Sequence, residues 1–231
     1  MDRLPFTEAW CVDFEFRAPA GELPEVRCMV AREVLSGRLL RLWVNELYQL
    51  DRPPFPTDKT ALFVAYYASA ELACFLQLGW PMPERILDLY VERRRITNGR
   101  GLVNPGRSLV ATMTAYGLDA IDVVEKEAMR ALAMRPGDHF SQAEREALLA
   151  YCQSDVDGLV ALLPRMLPDI LDGPTRPERV LGQALLRGRY MVAAARMEQA
   201  GVPIDTGMLA CLRENWDELR LALIAEVDHA Y

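Results

Sequence analysis

The chain has 231 residues, 51% hydrophobic and 26% charged, enough for one domain with a substantial core or for one domain plus an appendage. Its net charge of −7 argues against general coating of nucleic acid, but not against clustered acids that hold metal ions beside a local basic rim. No apolar run is long enough for a bilayer, Met1–Glu8 has no apolar signal core, and five scattered cysteines read as reduced core residues of a cytoplasmic protein with no membrane partner.

Thr7 to Phe16 is rich in aromatic and β-compatible residues and reads as a strand. Glu25–Val34 and Leu39–Val44 read as two further strands joined at Ser36-Gly37, a hairpin pairing beside the first. Ala61–Tyr67 reads as a short buried strand. Ser69–Leu78 follows as a helix, with Ser69 as N-cap and Gly79 as the stop. Ile86–Tyr90 opens a strand or a helix with Asp88 inside it, and Asn98–Gly106 is a glycine-rich loop. From there the pattern is helical: Ser108–Tyr116, Ala120–Met134, Ser141–Leu163, Glu178–Ala200 and Thr206–Tyr231. Ser141 with Glu144 three residues on forms a capping box. The prolines and glycine between Leu167 and Pro177 mark the best linker, which places domains over 1–167 and 178–231 with 168–177 between them. Strands first, with helices between and after them, describe an α/β layer built on a mixed sheet.

Two carboxylates interrupt the first strand, Asp13 and Glu15. Side chains alternate faces along a strand, so these two point the same way. Adjacent like charges are costly to desolvate unless a cation joins them. A second acidic feature lies in the long helix, where Tyr151 and Asp155 stand four residues apart on one face. Leu148 and Leu159 fall at helical spacings from them, which makes that face partly buried, and a buried acid needs a partner. With only His139 and His229 available, histidine-rich zinc chemistry and a Ser-His-Asp triad are disfavoured.

Asp-x-Glu on an early strand, an acid after a middle strand and Tyr-x-x-x-Asp on a late helix resemble the DEDDy family of 3′–5′ exonucleases. That family includes the proofreading domain of family A DNA polymerases. The resemblance covers Trp10 to Leu163 and implies a ribonuclease H-like mixed sheet flanked by helices, with a helical C-terminal extension. It further implies two-metal hydrolysis of a phosphodiester at a single-stranded DNA 3′ end, with two Mg²⁺ or Mn²⁺ ions. Carried over, Asp13 bridges both ions, Glu15 and Asp155 complete the site that generates the nucleophile, and Tyr151 orients the attacking water. The fourth acid departs from the family pattern: the position is filled by Glu71, with Asp88 as the alternative, to support the ion beside the leaving 3′ oxygen. Arg93-Arg94-Arg95, Arg100 and Arg107 either grip a phosphate backbone or are simply solvated.

A second resemblance runs from Arg187 to Asp205. It is similar to the segment that opens the polymerase domain of family A enzymes: a helix, then Glu198, Gly201, Val202, Ile204 and Asp205, then another helix. It implies a covalently or non-covalently associated polymerase module as partner. With the sequence ending at Tyr231 there is no room for a polymerase palm, so no polymerase activity is expected of this chain.

Overall fold

The computed structural model describes residues 4–19, 21–99, 106–119, 123–173 and 175–230. Its sheet has five strands in the order β3-β2-β1-β4-β5: β1 (Glu8–Arg17), β2 (Glu25–Glu33), β3 (Leu39–Trp43), β4 (Ala61–Ala65) and β5 (Ile86–Asp88). The expected hairpin is present. β1 pairs antiparallel with β2 and β2 with β3, whereas β4 runs parallel to β1 and β5 parallel to β4. The described helices are α1 (Val44–Leu47), α2 (Ala68–Leu78), α3 (Leu89–Thr97), α4 (Leu109–Ala115), α5 (Val123–Ala133), α6 (Gln142–Leu171), α7 (Pro177–Ala200), α8 (Thr206–Glu214) and α9 (Trp216–Ala230).

Strand alternation sorts β1 into two cores. Ala9 and Cys11 face a core shared with Leu148, Cys152, Val156 and Leu159 of α6. Trp10, Val12 and Phe14 face the opposite core, with Leu72 and Phe75 of α2 and Trp80. The sheet is therefore covered on both faces, which is why β1 reads as an almost unbroken apolar run. α7 contributes Ala184 to the first core and Ala195 to the second. Between them a Cβ on Gly188 would overlap the carbonyl oxygen of Ile86, so α7 lies directly against the backbone of edge strand β5.

Several elements differ from the sequence expectation. β4 ends at Ala65, two residues early, and the N-cap of α2 is Tyr67, not Ser69. Ser69 is buried, and its Oγ has no hydrogen-bond partner among the described residues. Residues 86–90 split into the short strand β5 and the start of α3. α6 continues past Leu163 to Leu171 through Pro164 and Pro168. Each proline removes a helix hydrogen bond. Leu162, Leu163, Met166, Leu167 and Ile170 are all buried, and that packing outweighs the loss. The segment expected over 206–231 is two helices, with Asn215 as the C-cap of α8. The linker expected over 168–177 spans the end of α6 and the start of α7, and the chain divides into compact units after Gln199. Cys211 is exposed, contrary to the core reading, whereas the other four cysteines are buried. No described helix is long and apolar enough to cross a membrane.

Candidate metal centre

The site forms where β1 outruns its parallel partner. The β1–β4 ladder ends at Cys11↔Val64, and β4 then turns away into α2. Antiparallel pairing to β2 continues through Asp13↔Val30 and Glu15↔Cys28 before a register shift between Glu15 and Phe16. Such irregularities re-aim side chains beside functional sites. Asp13 and Glu15 are half-buried, whereas Val12 and Phe14 between and before them are buried in the opposite core. One carboxylate oxygen of each lies within 4.8 Å of the other and of the Cys152 sulfur.

Cys152 of α6 reaches this pair. Its Sγ–H lies 3.3 Å from both the carbonyl oxygen and Oδ2 of Asp13. Burial, then a hydrogen bond with Cys28 and the charge of Asp13, push its thiol well above the ordinary range. In the metal-free protein Cys152 is therefore a neutral thiol that donates to Asp13. The adjacent Tyr151 and, one turn on, Asp155 line the same cavity of about 720 Å³ as Asp13. Burial, then the charges of Asp155, Glu15 and Asp13, push the Tyr151 phenol up, so it stays protonated and can donate. The sequence pairs 13/15 and 151/155 are thus brought together.

The two acids considered for the fourth position part company. Glu71 is buried on α2 and accepts the backbone N–H of Phe14. Burial, then the charges of Asp13 and Glu15, push its carboxyl well above the usual carboxylate range. Its Oε2 is buried with no hydrogen-bond partner among the described residues. Asp88 instead spends its carboxylate on the backbone. It accepts from the N–H groups of Tyr67, Ala68, Tyr90 and Val91 at 2.9–3.2 Å, capping α3 and tying it to the start of α2. Burial raises its pKa against those four donors.

This donor set fits a divalent cation. Carboxylate oxygens are the ligands hard cations take. Asp13, Glu15 and Glu71 raise one another's cost in its absence, and Glu71 Oε2 is an unused acceptor at the site. Asp13, Glu15 and Glu71 offer such an ion only oxygen, and no histidine stands with them.

The arginines sort by environment. Arg95 bonds Glu92 and the carbonyl oxygens of Asp169 and Ile170, so it joins α3 to α6. Arg93 stacks on Tyr116 and Arg94 on Tyr90. Arg107 lines the acidic cavity, where the Tyr66 hydroxyl holds its carbonyl at 2.6 Å, and Arg100 lies outside the described residues. Arg130 of α5 lines the same cavity and has no distinguishing signal in the sequence. Tyr66, Tyr67, Tyr90, Ser108 and Glu127 also line it. The Tyr66-Tyr67 pair was visible only as the end of a strand.

No protein-family model matches the chain, and no curated protein matches it in sequence. The fold does have solved counterparts. The ribonuclease D of Trypanosoma brucei is 18% identical, with a TM-score of 0.58 over 80% of this chain and 65% of that one. The Escherichia coli ribonuclease D, described as an exoribonuclease involved in structured RNA processing, is 16% identical, with a TM-score of 0.54 over 81% and 44%. A structure described as the apo form of a nuclease is 13% identical, with a TM-score of 0.50 over 88% and 92%. The chain thus spans less than two thirds of the length of either ribonuclease D. These likenesses establish the architecture: a ribonuclease H-like mixed sheet flanked by helices, followed by a helical region, as in exonuclease domains of the ribonuclease D type.

Proposed function

We propose that the protein is a metal-dependent 3′–5′ exonuclease acting on single-stranded nucleic acid ends. The observation that carries this reading is that Asp13, Tyr151 and Asp155 line one cavity, with Glu15 beside Asp13 and Glu71 buried next to that pair. The acids serve as the metal ligands, with Glu71 rather than Asp88 as the fourth, because both oxygens of Asp88 are already bonded. Two Mg²⁺ or Mn²⁺ ions, when bound, polarise the scissile phosphodiester and lower the pKa of water.

The chain's own groups do the rest. Asp13, Glu15 and Asp155 fix the ligand positions from a strand and a helix, rigid elements that hold a reactive geometry. Cys152 donates to Asp13 and sets its carboxylate orientation. The Tyr151 phenol donates a hydrogen bond that orients the attacking water. Arg107 and Arg130 supply the positive charge that a phosphate backbone needs in a protein of net charge −7.

The resemblance to family A proofreading domains supports a DNA 3′ end and an associated polymerase module. The ribonuclease D likeness supports an RNA 3′ end on the same chemistry. Digestion of matched DNA and RNA single strands separates them. Asp13→Ala should abolish trimming of both in Mg²⁺ or Mn²⁺; unchanged activity in that variant would refute the assignment.

A further inference from the structure

α7 holds two glycines in unlike surroundings. A Cβ at Gly188 would strike the carbonyl oxygen of Ile86, so the packing requires that glycine. Gly182 has no atom beyond its own helix backbone within 4 Å of the place its Cβ would take. Glycine weakens a helix interior relative to alanine, and no neighbour among the described residues requires it at this position. The space it leaves open belongs to a groove of about 500 Å³. Leu171, Leu181 and Leu185 line the groove, with Leu4 and Phe6 from the segment that enters β1. Lys59 and Arg85, which precede β4 and β5, also line it and are exposed. The groove therefore lies where the parallel strands begin, whereas Asp13 lies past the point where the β1–β4 ladder ends.

An apolar row continues from the groove along α7. Leu186 and Tyr190 follow Gly182 at four-residue steps, and Met197 comes seven residues later, each 67–69% exposed. Four-residue rows are the ridges along which helices pack on one another. Arg179 and Arg189 stand three residues from Gly182 and Leu186, on the same side of the helix, and are exposed. Arg187 is tied to Glu92, but Lys59, Arg85, Arg179 and Arg189 make no ion pair among the described residues. Glu178 is the one acid among the described residues that line the groove. A basic, apolar strip of this kind stands out on a chain of net charge −7.

We propose that the Gly182 groove and the row beyond it dock an acidic amphipathic helix of a partner protein. The row of Leu186, Tyr190 and Met197 takes the apolar face of that helix. The open Cβ position at Gly182 admits its backbone at close range. Its carboxylates meet Lys59, Arg85, Arg179 and Arg189, which sets the orientation and speeds the encounter. A phosphate backbone would meet the same cations but would gain nothing from the apolar row. The site is separate from the metal centre, and its occupancy does not depend on what that centre hydrolyses.

Three fluorescent peptides test this by anisotropy against the full chain. One is an amphipathic helix of Leu, Ala and Glu; the second has Lys for Glu; the third has the first composition with its leucines dispersed. The first should bind at least about 10-fold more tightly than the other two. Leu186→Asp should remove that binding, and Lys59→Glu with Arg85→Glu should make the lysine peptide the tighter ligand. Gly182→Ala should melt no lower than wild type yet bind the acidic peptide more weakly, which a glycine needed only by the fold would not do. Equal binding of the three peptides, binding that survives Leu186→Asp or Gly182→Ala, or a preference left in place by the charge reversal would overturn the proposal. So would displacement of the peptide by a single-stranded oligonucleotide. A protein that is dimeric alone and monomeric as Leu186→Asp would also overturn it, because the occupant would then be a second copy.

Discussion

Glu71 and Asp88 show how two buried carboxylates one helix apart take different tasks. Each is pushed up first by burial, but Asp88 is met by four backbone donors and Glu71 by one. Glu71 therefore holds a proton in the folded, metal-free protein that it releases on unfolding. A raised pKa contributes stability below the ordinary glutamate value, about 4.3, and that contribution is lost as pH rises through the folded value. In EDTA, Glu71→Gln should melt at a higher temperature than wild type at pH 8 and at a similar one at pH 4, while losing metal-dependent activity. A variant less stable than wild type at pH 8 would contradict this. Asp88→Ala strands several buried N–H donors and should cost at least about 3 kcal/mol in urea unfolding. Asp13 and Glu15 were legible in the sequence because strand alternation fixes their common face, and Tyr151 and Asp155 because four residues make one helical turn. The choice between Glu71 and Asp88 was not legible. A helix cap and a metal ligand are the same residue type, and the difference lies in which N–H groups from distant turns arrive at it.

At the scale of elements, α7 shows what local signals leave out. Its sequence marks a helix, but not that it crosses the β5 edge with a glycine against the strand backbone. Gly188→Ala should force α7 away from Ile86 and cost about 1–3 kcal/mol, read as a lower urea midpoint with an unchanged slope. A neutral substitution there would mean that α7 does not pack on the strand. α6 makes the complementary point. Pro164 and Pro168 read as the approach to a linker, yet the helix runs on to Leu171 because every apolar side chain of that stretch finds a place in the core. Chain-local rules count the lost hydrogen bonds and cannot see the packing that offsets them. The cap of α2 failed for a related reason. Ser69 has the side chain of a cap, but the N–H groups of Tyr67 and Ala68 are satisfied from Asp88, and the helix starts earlier.

At the scale of the molecule, the order β3-β2-β1-β4-β5 puts β1 at the centre, and the departure of β4 into α2 opens the crevice where the acids gather. The fold class was legible from strand order and hydrophobic pattern alone. Many arginines are tied internally at this scale, as Arg27 is to Asp138 and Glu25, and Arg187 to Glu92. Arg107 and Arg130 are left to face the acidic cavity. The compact unit over 200–231 is distinct: α8 has no buried residue, and Leu221, Leu223 and Ile224 of α9 are exposed. If the β1 and α6 acids form a hydrolytic metal centre, the wild-type protein must degrade a 5′-labelled single strand. In Mn²⁺ or Mg²⁺ the strand should shorten one nucleotide at a time from its 3′ end and stop on addition of EDTA; a strand left intact in both metals, or cut internally, would contradict it.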